Sequence, residues 1–346
     1  MRADNGRTVI DLPHPYLLFL GDVTEAGYAK TAFGLRDWAP EHCVGEYGLA
    51  GALTIGLAQL RPREAKFAGA RSLVIGVANP GGVIPEAWIP ALVEALDAGL
   101  DIVAGMHSRL NDIPRLSDRA RVLGRRLIDV RSPPAGIPIA TGRKRPGLRL
   151  LTVGTDCALG KKYTALALTR AVAARGIKAD FRATGQTGIM IAGRGMPIDA
   201  VVSDFVAGAA EMLSPDNEPD HWDVIEGQGS LFHPAYAGVS LGLLHGSQPD
   251  VIVLCHDPTR ATMLGYPGYP LPGLREAIDL TLHLGARVNP AIRCAGVSMN
   301  TSRMDEAAAL RTIEDAAASL RLPVADPIRG GSPFDALVES CLDRGP

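Results

Sequence analysis

Leu150-Leu151-Thr152-Val153 runs into Gly154-Thr155-Asp156-Cys157-Ala158-Leu159-Gly160-Lys161-Lys162-Tyr163-Thr164, and a helical stretch continues through Ala174 to Gly176. An apolar strand, a glycine-bearing loop, a lysine and a helix in that order leave few folds open. Gly154 and Gly160 let the backbone curl so that its N–H groups face inward. The helix start adds a partial positive charge and Lys161 a full one. This predicts a phosphate-binding nest built from Gly154, Thr155, Asp156, Cys157, Gly160, Lys161, Lys162, Tyr163 and Thr164; the alternative is a glycine turn that merely starts a helix.

The nest departs from the usual pattern in two ways. Five residues rather than four separate its glycines, a spacing that resembles the GTDxxxGK loop of dethiobiotin synthetase and its relatives. Lys162 stands where a Ser or Thr hydroxyl normally holds magnesium. A second ammonium neutralises phosphate charge directly, which suits a phosphate-bearing cofactor that is bound without being cleaved there. No metal is then required. Thr164 keeps an ATP-dependent ligase or kinase open as the alternative, and magnesium is expected only under that reading.

A chain of 346 residues outgrows a single hydrophobic core, so two domains are expected. The stretch Arg131 to Gly147 is rich in Pro, Gly and charge and has no apolar period, which places the boundary there: residues 1–140 and 141–346. Apolar residues make up 47% and aromatics 5%, a balance suited to Ala, Val, Leu and Ile packing in parallel sheets under helices. In the first half, a strand at Ser72 to Val77, a helix over Glu86 to Ala98 and a strand at Asp101 to Ala104 predict a parallel crossover of Rossmann type. No GxGxxG follows a strand there, so nicotinamide binding is not supported. In the second half, strands are expected at Leu150 to Val153, Ala179 to Ala183, Val224 to Ile225, Val251 to Cys255 and Cys294 to Met299. Ser214 to Pro219 and Tyr266 to Pro272 read as surface loops. The fold class is therefore α/β: a Rossmann-like N-terminal domain followed by a P-loop NTPase-like domain with a mostly parallel sheet.

A net charge of −2 without a long basic run argues against nucleic acid as a partner. The five cysteines are scattered and lack a CxxC pair, which suggests neither a disulfide framework nor a zinc site and fits a reducing cytoplasm. Tyr16 to Leu20 is an apolar cluster too short for a signal segment or a membrane span. A soluble homo-oligomer is the expectation.

Other candidates sit where apolar strands end. Glu226 follows Trp222-Asp223-Val224-Ile225 and opens a glycine-rich turn in which Gln228 and Ser230 offer hydrogen bonds. It reads as a general base or a Walker-B-like acid, or else as a solvated strand-end carboxylate. Gln186 lies in a small-residue segment leaving another strand. His256, Asp257 and Arg260 follow a third, with Arg260 suited to pairing a carboxylate. His107 and Arg109 follow the strand at Asp101 to Ala104, where an anionic substrate could be met; a structural histidine is the alternative. Lys30, Thr31 and Asp204 read equally well as surface or capping residues.

GTDCALGKKYTALAL, ATGQTGIMIAG, VIEGQGSLFHPAY and LCHDPTR in the second half, with AKTAFGL, VANPGGVIPEAW and GMHSRLNDIPRL in the first, resemble the DgcN family of D-glutamate N-acetyltransferases. The family was first catalogued as a domain of unknown function, and the resemblance spans nearly the whole chain. It implies a Rossmann-like and a P-loop domain, with acetyl-CoA and D-glutamate as small-molecule substrates. Acetyl transfer to the D-glutamate amine in D-amino-acid catabolism follows from the resemblance and from nothing in the spacing. Coenzyme A carries a pyrophosphate that need not break, which the lysine-doubled loop suits. Glu226 or His107 would take the ammonium proton, and turn N–H groups would polarise the thioester. Arg109, Gln186, Gln228, Ser230 and Arg260 are the candidate substrate contacts. Acetyl transfer through Cys157 is the less favoured route.

Overall fold

The computed structural model describes residues 9–77 and 79–343. The chain divides into two compact units, one running up to Pro134 together with Gly185–Ala200, the other comprising Ala135–Thr184 and Val201 onward.

In the N-terminal unit, β1 (Tyr16–Gly21), β2 (Cys43–Gly48), β3 (Ser72–Ile75), β4 (Asp101–Ala104) and β5 (Leu127–Asp129) form one sheet in the order β2-β1-β3-β4-β5. Every pairing in it is parallel. The cluster that is too short for a membrane is β1, buried along its whole length, as a strand covered on both faces of a parallel sheet must be. β3 ends at Ile75, and the Gly76 N–H still donates to the Phe19 carbonyl at 2.9 Å while the Gly76 carbonyl accepts the Ala32 N–H of helix Lys30–Trp38 at 2.8 Å. A Cβ on Gly76 would stand 2.7 Å from the Ala32 methyl. The helix expected over Glu86 to Ala98 splits into a 3-10 turn at Glu86–Trp88 and an α-helix at Ile89–Asp97. The buried Trp88 indole at the join donates to Asp22 Oδ1 at 2.9 Å.

Gly185–Ala200 belongs to this unit although it interrupts the other in sequence. Ile10–Asp11 pairs antiparallel with Arg194–Gly195, and Thr31 Oγ1 lies 3.0 Å from Thr187 Oγ1. Helix Gln186–Ala192 packs in this unit with helix Lys30–Trp38.

In the C-terminal unit, β6 (Leu148–Gly154), β7 (Ala179–Arg182), β8 (Trp222–Ile225), β9 (Val251–His256), β10 (Arg293–Met299) and β11 (Val324–Ala325) form a sheet in the order β11-β10-β9-β6-β8-β7. It too is parallel throughout. Leu150, Val224, Val253 and Ala295 on the strands pack with Ala165, Leu168 and Leu337 on the helices as its core. β6, which leads into the glycine loop, lies between β8 and β9. Its C-terminal end therefore opens at the sheet edge where ligands of α/β proteins sit. At the opposite end, buried Arg149 donates to Ser214 Oγ at 2.8 Å and to the Arg145 carbonyl at 2.8 Å, tying down the chain that enters β6. The expected loop at Tyr266 to Pro272 contains a strand, Tyr266–Pro270, paired antiparallel with Thr262–Met263. Among the described residues, no helix is long and apolar enough to cross a membrane.

Candidate functional site

The glycine loop joins β6 to helix Lys161–Ala174 as the sequence predicts. Gly160, at the helix N-cap, has φ of +111°, a conformation that favours glycine. Lys161 is buried, and its Nζ folds across the loop to donate to the Asp156 carbonyl at 2.7 Å. Burial holds its pKa below the ordinary lysine value. A Cβ on Gly154 would lie 3.0 Å from that ammonium, so glycine here is what gives Lys161 its room. Lys162 is half-buried with Nζ 4.3 Å over the Tyr163 ring. Burial lowers its pKa too, and the charge of Glu226 opposes the shift.

Several expected ligand contacts turn out to brace the loop. Asp156 is fully buried, and its Oδ2 accepts from Arg260 Nη1 at 2.7 Å and from the Leu264 N–H at 2.8 Å. Arg260 was expected to meet the substrate. It is held by Asp156 and by the Cys157 and Ala158 carbonyls at 2.8 and 3.3 Å, because a guanidinium with several donors satisfies the turned loop best. Asp257 is likewise spent on Thr259 and on Arg303, 2.5 Å away. Thr155 Oγ1 lies 2.9 Å from His256 Nδ1, an imidazole whose pKa burial lowers. The Thr164 hydroxyl is paired with Ser298 Oγ at 2.7 Å inside the fold. Cys157 is half-buried; burial raises its thiol pKa, and the charge of Lys161 works against that.

On the β8 side of the loop, Glu226 is not a solvated strand-end carboxylate. It is 5% exposed, its Oε2 accepts the Thr184 N–H at 3.0 Å, and its carbonyl accepts the Thr184 hydroxyl at 2.7 Å. Gln228 Nε2 donates to the same hydroxyl at 3.0 Å. The buried Ser230 accepts the Phe232 N–H at 3.3 Å. The turn lies directly on β6: a Cβ on Gly227 would stand 1.7 Å from the Thr152 carbonyl oxygen. The Gly227 N–H already donates to Thr152 Oγ1 at 2.9 Å, so this amide is not available to polarise a carbonyl. Gly154, Gln228, Ser230 and Phe232 line a narrow recess here.

His107, Arg109 and Gln186 belong to the N-terminal unit. His107 and Arg109 are exposed. The His107 N–H donates to the Gly82 carbonyl at 2.8 Å, and Gln186 lies across Gly105, where a Cβ would be 2.0 Å from its Oε1. Thr31 is buried in the same unit, whereas Lys30 is exposed, and Asp204 is exposed in a 3-10 turn of the other.

His233 is the residue the sequence reading passes over. It is 1% exposed, and its Nε2 lies 3.8 Å from Asp156 Oδ1. Neither atom has a hydrogen-bond partner among the described residues. Asp156, Cys157 and His233 each offer one ligand atom within 4.8 Å of the others, a spacing a metal ion could span. His233 Nδ1 accepts the Ala235 N–H at 3.1 Å, which leaves the ring proton on Nε2, facing the carboxylate, and Arg260 and Lys161 already supply positive charge. The HPAY run after the GQGS turn is the one sequence cue for this residue.

Residues 138–338 match the model described as a domain of unknown function, the DUF1611_C P-loop domain. Residues 48–133 match the DUF1611_N Rossmann-like domain. The chain is 51% identical over 319 residues to a protein of Tritonibacter scottomollicae named D-glutamate N-acetyltransferase, covering 92% of this chain and 96% of that one. A protein of the same name from a Pseudoalteromonas species is 45% identical over 318 residues, with the same 92% and 96% coverage. The crystal structure of a DUF1611 family protein from Anabaena variabilis superposes with a TM-score of 0.81 at 33% identity, over 95% of this chain and 99% of that one. With both of its domain models matched and its fold shared across nearly the whole length, the chain belongs to the DUF1611 family.

Proposed function

We propose that this chain is a D-glutamate N-acetyltransferase that moves an acetyl group from acetyl-CoA to the substrate amine. The observation that carries this reading is the 51% identity, over 92% of the chain, to a protein of that name. The site's chemistry supports it. Lys161 and Lys162 place two ammonium groups at a phosphate loop whose Thr164 hydroxyl is paired with Ser298. That is a poor arrangement for metal-assisted cleavage of a phosphoanhydride and a good one for gripping a diphosphate that stays intact.

Glu226 is the proposed base. Its carboxylate takes a proton from the D-glutamate ammonium, the freed amine attacks the thioester carbonyl carbon, the C–S bond breaks, and the departing thiolate of coenzyme A takes up the proton that the new amide nitrogen sheds. Direct transfer is favoured over a Cys157 acetyl intermediate because burial raises that thiol's pKa and so disfavours the nucleophilic thiolate. His107 is the second candidate for the base. Arg109, Gln186, Gln228 and Ser230 are the proposed substrate contacts, and each predicts a raised KM for glutamate when replaced.

The test is free-thiol release from acetyl-CoA with D- or L-glutamate, with and without a chelator. Chelator-insensitive release with D-glutamate is expected. ATP turnover with D-glutamate and no thiol release would overturn the reading in favour of a ligase or kinase.

A further inference from the structure

The loop that ends β6 has a recess on each flank. On the β8 side lies the narrow one, where Gly154, Gln228 and Ser230 meet Leu243 and Leu244 of helix Ala237–Ser247 and Thr281 of helix Leu274–Gly285. On the β10 side a wider one encloses about 580 Å³ of unfilled space open to solvent, bounded by Leu159, Tyr163, Met299, Asn300, Ser302 and Ile328. β8 and β10 stand on opposite sides of β6 in the sheet. A ligand whose phosphates are terminal needs one such flank. A ligand with a diphosphate in its middle needs both, and acetyl-CoA is of the second kind.

Resting on the acetyl-CoA reading above, we propose that the recess on the β10 side takes the adenosine end of the donor, which lies across the loop with its thioester arm on the β8 side. The walls match a purine. Leu159, Tyr163, Met299 and Ile328 offer apolar and aromatic surface to the ring faces. At the end of β10, Asn300 Oδ1 accepts the Ser302 N–H at 3.2 Å. The amide NH2 is then the group it offers the recess, and purine ring nitrogens are acceptors. Asp326, which also lines the recess, is committed elsewhere: Oδ2 accepts the Thr301 N–H at 3.0 Å and Oδ1 the Ile328 N–H at 2.9 Å. The pocket thus presents a donor without an unpaired carboxylate, as a ligand already bearing phosphates requires. The same polarity puts the reactive end of the donor at the Gly227–Ser230 turn that follows Glu226.

Two variants that fill the recess from its rim, Ile328→Trp and Ser302→Trp, test this. Each is first checked for an unchanged melting profile. KM is then measured for acetyl-CoA and for acetyl-4′-phosphopantetheine, which keeps the thioester arm and a phosphate but lacks adenosine. Binding of adenosine 3′,5′-bisphosphate is measured directly. Filling the recess should raise KM for acetyl-CoA about tenfold and weaken adenosine 3′,5′-bisphosphate to a similar degree, with a penalty for the truncated donor under about twofold. Equal penalties for both donors would put the pantetheine arm in the recess and overturn the proposal, as would no penalty for either. If the unmodified enzyme released no thiol from any acetyl donor, the acetyltransferase reading would fail by itself. The bisphosphate would then decide the recess alone: binding weakened by the tryptophans sustains it, and binding indifferent to them refutes it.

Discussion

Arg260 Nη1 lies 2.7 Å from Asp156 Oδ2, joining the segment after β9 to the inside of the phosphate loop. A buried carboxylate within an anion-binding loop would repel the ligand if it stood alone. Paired with Arg260 and the Leu264 N–H it becomes a peg that sets the curl of the loop.

Replacing Arg260 with Ala should therefore uncover the Asp156 charge and free two loop carbonyls. We expect a loss of about 2–3 kcal/mol of stability, below the full range for a buried pair because Arg260 is partly exposed, together with weaker donor binding. Denaturant melts and donor titration check both. An Asp156→Asn, Arg260→Ala double variant should recover part of the loss, because the uncompensated charge is gone.

Lys161→Ala should weaken acetyl-CoA binding by roughly 1.5–3 kcal/mol, the worth of a charge-assisted contact. Lys162→Ala should weaken it as well if the second ammonium stands in for a metal. Titration calorimetry with coenzyme A reads both; unchanged affinity in Lys162→Ala would remove that role.

Glu226→Gln keeps an acceptor for the Thr184 N–H, so the turn should stay in place. Turnover should fall about a hundredfold or more while donor affinity changes little. A loss of affinity equal to that of Lys161→Ala would make Glu226 part of the donor site instead of the base.

The phosphate loop was legible because its requirements are local: Gly160 must take a positive φ, and the strand, lysine and helix follow one another in sequence. Parallel sheets were legible from continuous apolar runs. Tyr16–Gly21 shows the limit, since a fully buried strand and an unremarkable apolar cluster have the same composition. Arg260 and Asp257 show another. A charged residue after a strand can face a ligand or the fold, and the choice depends on Asp156 and Arg303, which lie far off in sequence. His233 and the route of Gly185–Ala200 into the N-terminal unit rest on long-range packing of the same kind.

Asp223 provides a pH test of the buried network below β8. Burial pushes its pKa upward, but the nearby His221 imidazole at 3.4 Å, the Arg182 charge and hydrogen bonds from Ser214 and Arg182 outweigh that and hold it below the ordinary 3.8. A carboxylate with a depressed folded-state pKa contributes stability in full above its unfolded value and loses it as pH falls through the folded one. Urea unfolding between about pH 6 and 3 should therefore show a steeper acid loss in the unmodified protein than in Asp223→Asn. Parallel curves would contradict this.

The central claim, that the loop of the C-terminal unit grips the donor's diphosphate with two lysines in place of a metal, is tested most directly by a crystal structure with coenzyme A bound. Phosphate oxygens are expected within hydrogen-bond reach of the backbone between Gly154 and Lys162 and of the Lys161 ammonium, with no divalent ion between them. An empty loop, with the diphosphate lodged elsewhere, would contradict it.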